Sequence, residues 1–327
     1  MTLAPVYLKM IVMLSRASAA ALTAAALLVS ACSSDATGSD GASGGNRMQV
    51  TAAFYPLQYV AERIGGDAVE VTSLTPPGGE PHDLELTPQD LATLQESDLV
   101  VHLSGFQPAV DEAIARTPDV VTVDAADSAD LEHPDSGHSE EQHGEAGHTE
   151  DEHGGLDPHF WLDTSRLSGV AAAVEEAMAE ADPDQADALA ANLAALQREL
   201  KGLDEEYATG LADCTVTSLV TGHESFGYLA QRYGMAQVGI AGLSPDAEPD
   251  PQQLAAVADL VEREDVRTIY TETLVSPAVA QTVADETGAQ TAVLDPLEGL
   301  TDESAGSDYV SVMRANLETL REGQDCR

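Results

Sequence analysis

Residues 182–211 read DPDQADALAANLAALQRELKGLDEEYATGL, and this stretch decides the architecture. Leu189, Leu193, Leu196, Leu200, Leu203, Tyr207 and Leu211 recur at intervals of three or four, which puts them on one face of one helix. Asp182 is suited to the N-cap and Pro183 to the first helical position, where its missing N–H has no intrahelical partner to lose. A helix of about 30 residues is about 45 Å long, more than the width of a small domain. Residues 182–212 are therefore expected to be a stiff connector lying along two lobes.

The flanks agree. Before the connector, apolar runs at 50–54, 69–74, 99–103 and 120–123 read as short buried strands, with helical patterns at 57–64, 88–96 and 109–116 between them. After it, strands are expected at 216–221, 237–240, 268–271 and 290–294, and helices at 226–233, 251–263, 277–287 and 308–320. Alternation of this kind builds parallel sheets. The predicted fold is α/β: two βα-alternating lobes, residues 48–181 and 213–327, with mostly parallel four-stranded sheets joined by one long rigid helix.

The N-terminal segment carries Lys9 and Arg16, no acidic residue, and small or apolar residues over most of 17–31. This is a signal-peptide pattern, and its apolar stretch falls short of the roughly 20 residues a membrane span needs. Val29-Ser30-Ala31-Cys32 resembles the bacterial lipobox, which implies acylation of Cys32 and removal of residues 1–31. Residues 32–47, rich in Ser, Gly, Asp and Ala, lack the apolar surface to offset chain entropy and read as a lipidated flexible tether. Of the other two cysteines, Cys214 and Cys326 form an even pair in an exported chain, and a disulfide between them is expected.

The whole chain has 14 basic and 57 acidic residues, a formal charge of −43; loss of Lys9 and Arg16 with the leader leaves 12 against 57, or −45. Such a charge works against nucleic acid and anionic membrane surfaces as partners and gathers cations. An acidic proteome gives the same excess, so charge alone assigns no function.

Nine histidines fall into three groups. His133, His138, His143, His148 and His153 are spaced five apart in an acidic, Gly- and Ser-rich stretch, 127–156. That period fits neither helix nor strand, so the stretch is expected to be a disordered loop whose imidazoles provide auxiliary metal capture. His82, His159 and His223 are each expected where a strand has just ended, the edge at which open α/β sheets bind their ligands. Three such residues drawn from two facing lobes point to one shared metal site in the cleft. His102, inside Val100-Val101-His102-Leu103, reads as structural.

The runs GEPHDLEL (79–86), DPHFWLD (157–163), HESFGYLAQRYG (223–234), TETLVSP (271–277) and LDPLEGL (294–300) occur in one order over residues 48–327. In these the chain resembles the metal-binding solute-binding lipoproteins of ATP-binding-cassette importers, the zinc-uptake branch in particular. The resemblance implies two α/β lobes, a rigid linking helix and one metal in the cleft, held by His82 and His159 from the first lobe and His223 from the second. Manganese and iron branches often have a carboxylate in place of His223, and three imidazoles suit zinc better than manganese. The family's last-strand loop often supplies a carboxylate ligand, which points to Glu298; Glu272 is the alternative, with Glu80 and Asp295 as further rivals.

The implied function is zinc binding outside the cytoplasm, on the cell membrane, by a monomer that delivers Zn2+ to the permease and ATPase of an importer. A manganese or other divalent-metal carrier, a surface adhesin and a zinc hydrolase are the alternatives. Three ligands and a water also make a catalytic zinc site. Here there is no HExxH helix, and a fourth protein ligand leaves no position for a reactive water, so no enzyme is expected.

Overall fold

The computed structural model describes residues 47–134 and 155–327. The signal peptide, Cys32 and its tether up to residue 46, and His138, His143, His148 and His153 lie outside the described residues. No helix among the described residues is long and apolar enough to cross a membrane.

The first lobe contains β1 (Met48–Ala52), α1 (Tyr55–Gly65), β2 (Val69–Ser73), α2 (Pro88–Glu96), β3 (Leu99–His102), α3 (Pro108–Ala115), β4 (Thr122–Asp124), α4 (Ala126–Ala129) and α5 (Thr164–Ala181). Its sheet has the order β2-β1-β3-β4, and every pairing is parallel. After the linking helix α6 (Ala186–Gly210) come β5 (Ser218–Thr221), α7 (Gly227–Arg232), β6 (Ala236–Gly239), α8 (Pro251–Arg263), β7 (Thr268–Thr271), α9 (Ala278–Thr287), β8 (Gln290–Val293) and α10 (Tyr309–Gly323). The second sheet has the matching order β6-β5-β7-β8, again parallel. The central strands β3, β5 and β7 are buried at every position, as expected of parallel sheets covered by helices on both faces.

Helix α6 has 25 residues, about 37 Å, and follows a turn, Pro183–Gln185, that Asp182 caps through the N–H of Asp184. Its apolar face buries Leu189, Leu196, Leu200, Leu203 and Tyr207. Asn192 donates to the Ile64 carbonyl of the first lobe at 2.8 Å. About four turns later the Tyr207 hydroxyl donates to the Met313 carbonyl of α10, in the second lobe, at 2.6 Å. One continuous helix is thus bolted to both lobes.

Helix α5, 18 residues packed along α6, has no counterpart in the periodicity reading. Leu167, Val170, Val174 and Met178 do mark a buried stripe, but alanines between them blur the contrast with the exposed face. The stretch read as a loop over 127–156 also begins with structure, since Asp127, Ser128 and Ala129 belong to α4. Further on, Glu132 N–H donates to the Tyr228 hydroxyl at 2.8 Å, and Arg166 bonds the Ala129 carbonyl at 2.9 Å.

One apolar core runs through both lobes and includes Phe54, Phe106, Trp161, Tyr207, Leu297 and Tyr309. A smaller cluster beneath α8 and α9 belongs to the second lobe alone. Cys214 and Cys326 are joined by a disulfide, 112 residues apart in sequence.

Candidate metal centre

His82 stands in the loop between β2 and α2, its backbone N–H donating to Glu80 Oε1 at 3.1 Å. The Phe106 ring lies edge-on to its imidazole, 4.7 Å between centroids. His159 does not follow a strand as expected: the described element before it is α4, and it precedes a single 3-10 turn, Phe160–Leu162, that leads into α5. His223 follows β5 by two residues, and Glu298 lies beyond β8.

These four side chains converge between the lobes. Glu298 Oε1 is 3.3 Å from His82 Nε2, 3.2 Å from His159 Nε2 and 3.2 Å from His223 Nε2, and the His159 and His223 Nε2 atoms are 3.4 Å apart. Around a tetrahedral zinc with ligand arms of about 2.0–2.1 Å, neighbouring donors are about 3.3–3.4 Å apart. The observed edges match that tetrahedron. Burial is nearly complete: His159 and His223 are 0% exposed, Glu298 1% and His82 8%.

Two carboxylates behind the imidazoles fix their orientation. Asp157 Oδ1 accepts from His159 Nδ1 at 2.8 Å and from the same residue's backbone N–H at 2.9 Å. Glu272 Oε2 accepts from His223 Nδ1 at 2.5 Å, while its Oε1 accepts the His223 backbone N–H at 2.8 Å. With Nδ1 committed to its carboxylate, each Nε2 points at the centre, where it donates to Glu298 while protonated and offers its lone pair to a metal once the proton is lost, the arrangement that tunes metal-bound histidines elsewhere. Gly222 makes room for this: a Cβ there would lie 2.6 Å from Glu272 Oε1.

The loop carrying Glu298 is held by the rest of the core. Leu297 has φ +58°, a left-handed conformation that costs a branched residue roughly 1–2 kcal/mol, and Asp295 Oδ1 accepts its N–H at 2.8 Å. Asn316 of α10 donates to the Asp295 carbonyl at 2.7 Å and accepts its N–H at 3.0 Å. The strained turn aims Glu298 into the cleft.

Burial alone would raise the Glu298 carboxyl, but the His223 charge and hydrogen bonds from all three imidazoles hold it well below the usual carboxylate range. Burial would lower His159; hydrogen bonds to Asp157 and Glu298 outweigh it and raise the pKa. At His223 the charges of Glu272 and Glu298 likewise overcome burial, leaving the pKa well above the usual value. For His82 burial prevails over Glu298, and the pKa is lowered. Burial and the Glu298 charge push Glu80 up to about 8. Imidazole protons therefore balance the buried carboxylate, and a dication entering the cluster displaces them.

Of the rivals to Glu298, Glu272 orients His223, Glu80 braces the His82 backbone, and Asp295 holds the turn at Leu297. His102 lies outside the cluster, and His133 is exposed, hydrogen-bonded to the Gly155 carbonyl at 2.7 Å. Asp157 and Trp161 escaped the sequence reading; an acidic residue two places before a metal-site histidine was the available signal for Asp157.

Two βα lobes on one helix, with three imidazoles and a carboxylate buried between them, define a solute-binding protein whose solute is a metal ion. The chain belongs to the ZnuA family: the family model described as "Zinc-uptake complex component A periplasmic" matches residues 50–323. It is 36% identical over 307 residues to the high-affinity zinc uptake system protein ZnuA of Bacillus subtilis (strain 168), an alignment covering 92% of this chain and 95% of the relative. It is 32% identical over 295 residues to the zinc-binding lipoprotein AdcA of Streptococcus pneumoniae serotype 4 (strain ATCC BAA-334 / TIGR4), covering 85% of this chain but 56% of AdcA, so it spans little more than half of that protein.

Among solved structures, Zn(II)-bound AdcA from Streptococcus pneumoniae superposes with a TM-score of 0.71 at 33% identity, over 86% of this chain and 58% of that one. The laminin-binding protein Lmb of Streptococcus agalactiae, described as bifunctional with adhesin and metal transporting activity, gives 0.75 at 28% identity, over 85% and 100%.

Proposed function

We propose that this chain binds one zinc ion through His82, His159, His223 and Glu298 and delivers it to an ATP-binding-cassette importer. The observation that carries this reading is a buried cluster in which Glu298 Oε1 lies 3.2–3.3 Å from three Nε2 atoms, His159 and His223 Nε2 are 3.4 Å apart, and all four donors lie within 4.8 Å of one another. Three nitrogens and one oxygen suit zinc; manganese favours more oxygen donors and a higher coordination number. Zinc is the cargo. A protein carboxylate in the fourth position leaves no ligand place for a reactive water, which speaks for carriage over hydrolysis.

The lipobox-like VSAC sequence and the lipoprotein name of the pneumococcal relative support a lipid anchor at Cys32. The partners are then a membrane permease and its ATPase, met by a tethered monomer outside the cytoplasm. The five loop histidines act as weak collectors that raise the local zinc concentration.

Elemental analysis of the folded protein purified without added metal tests the reading, together with competition by manganese, cobalt, nickel and copper. The expected result is one tightly held zinc per chain. A chain that carries manganese, or no metal that survives dialysis, overturns it.

A further inference from the structure

Tyr228, the second residue of α7, places its hydroxyl between two backbone segments of the first lobe. The hydroxyl accepts the Glu132 N–H at 2.8 Å and donates to the Asp157 carbonyl at 2.8 Å. The Asp157 N–H in turn donates to the Glu132 carbonyl at 2.8 Å. Two residues paired across antiparallel segments normally exchange both such bonds directly. Here the phenol oxygen takes the place of the second bond. Its removal leaves the Glu132 N–H and the Asp157 carbonyl without partners, or lets the two segments close on each other and carry Asp157 with them.

The ring itself is held. Tyr228 is 4% exposed, and the Arg166 guanidinium lies over its face, 4.3 Å from the centroid. Gln231, one turn further along α7, donates to Glu132 Oε2 at 3.3 Å, so Glu132 is tied to the same helix twice. Gly227 completes the seat. A Cβ there would lie 2.7 Å from Asp157 Oδ2, closer than a real side chain approaches, so glycine is what lets that carboxylate rest against α7. Consecutive residues at the start of one helix thus set both the carbonyl and the carboxylate of Asp157, the residue whose Oδ1 accepts from His159 Nδ1 at 2.8 Å.

We propose that Tyr228, with Gly227 beside it, is a positioning residue for the zinc site and acts on His159 through Asp157. The role rests on zinc binding in the cleft, as proposed above. His159 comes from the first lobe, yet its orientation is set from the second, by residues that follow His223 within the same run, HESFGY (223–228). That run supplies one imidazole and aims another.

The test uses the full chain, with the zinc affinity of the tight site read by competition with a chelator. Asp157→Asn and Tyr228→Phe should each weaken the site by roughly 10–100-fold, the usual scale for groups that orient a metal-bound histidine. In the double variant Tyr228→Phe should add nothing to the Asp157→Asn loss, because residues acting through one contact are not additive. Gly227→Ala, which keeps the hydroxyl and displaces the carboxylate, should weaken the site on the same scale. Tyr207→Phe removes another buried hydroxyl bond, on α6, and should lower the melting temperature while sparing zinc affinity. A parent without a tight site overturns the zinc reading and this role with it. A parent that binds zinc tightly while Tyr228→Phe binds it equally well overturns the role alone, as do losses that add in the double variant or a Tyr207→Phe loss as large as that of Tyr228→Phe. Should Tyr228→Phe fail to fold, Gly227→Ala and its pairing with Asp157→Asn give the decision.

Discussion

Trp161 donates its indole N–H to the Pro296 carbonyl at 2.8 Å, so the segment two residues past His159 is fastened to the segment two residues before Glu298. The Trp161 carbonyl in turn accepts the Tyr309 hydroxyl of α10 at 2.6 Å. Two of the proposed ligands, from different lobes, thus share one support.

Trp161→Phe keeps most of the ring and leaves a buried carbonyl unpaired, a loss of about 1–3 kcal/mol. A lower melting temperature and weaker zinc binding should appear together, by calorimetry and isothermal titration. Unchanged zinc affinity in a destabilised variant would mean that Glu298 is positioned without this latch.

Alanine at His82, His159 or His223 should weaken the tight zinc site severely, and alanine at His102 should leave it intact. Glu298→Gln removes the charged donor and should be as harmful as a histidine loss. Glu272→Gln disturbs only the orientation and charge of His223, for which roughly 10–100-fold is the usual scale. Glu80, pushed up to about 8, is largely protonated at neutral pH, so Glu80→Gln should be nearly silent there. Glu272→Gln proving worse than Glu298→Gln would exchange their roles.

Binding should be linked to protons. The pKa values of His159 and His223 are raised in the folded chain above the free value of about 6.5. Stability from their protonated forms is fully present below about pH 6.5 and is lost as pH rises through the folded values. Zinc displaces these protons, so its affinity rises with pH and falls in acid. The melting-temperature gain from saturating zinc should therefore grow between about pH 6 and about pH 8. A gain that is flat or shrinks over that range would contradict the charge balance described for the cluster.

The Cys214–Cys326 bond closes a loop with a sequence separation of 112. On the chain-entropy account such a closure is worth roughly 4–5 kcal/mol. Reduction should lower the melting temperature by several degrees, and thiol labelling of the unreduced, unfolded mature protein should find neither cysteine reactive. Ready labelling of either one would break the pairing.

The alternation of strands and helices and the connector were legible because their signals are local: buried β-branched runs, capped helices, a leucine stripe. Thr268–Thr271 and Pro251–Arg263 fall where pattern alone puts them. Helix α5 was not, because alanine serves both its buried and exposed faces. His82 and His223 could be picked out since each follows a strand. Glu298 needed family motifs, as a carboxylate among 57 acidic residues carries no mark of its own. The division of labour between Glu298 and Glu272 depends on which oxygen meets which ring nitrogen, and that is fixed only by tertiary packing.

Helix α10 gives the centre a place in time. Its Asn316 holds the Asp295 backbone and its Tyr309 reaches Trp161, yet it is made after every ligand residue. In a chain threaded through a membrane N-terminus first, His82, His159 and His223 emerge long before the helix that steadies the Glu298 loop. For a chain exported unfolded, the steadied form of the Glu298 loop is then complete only after α10 has followed it across.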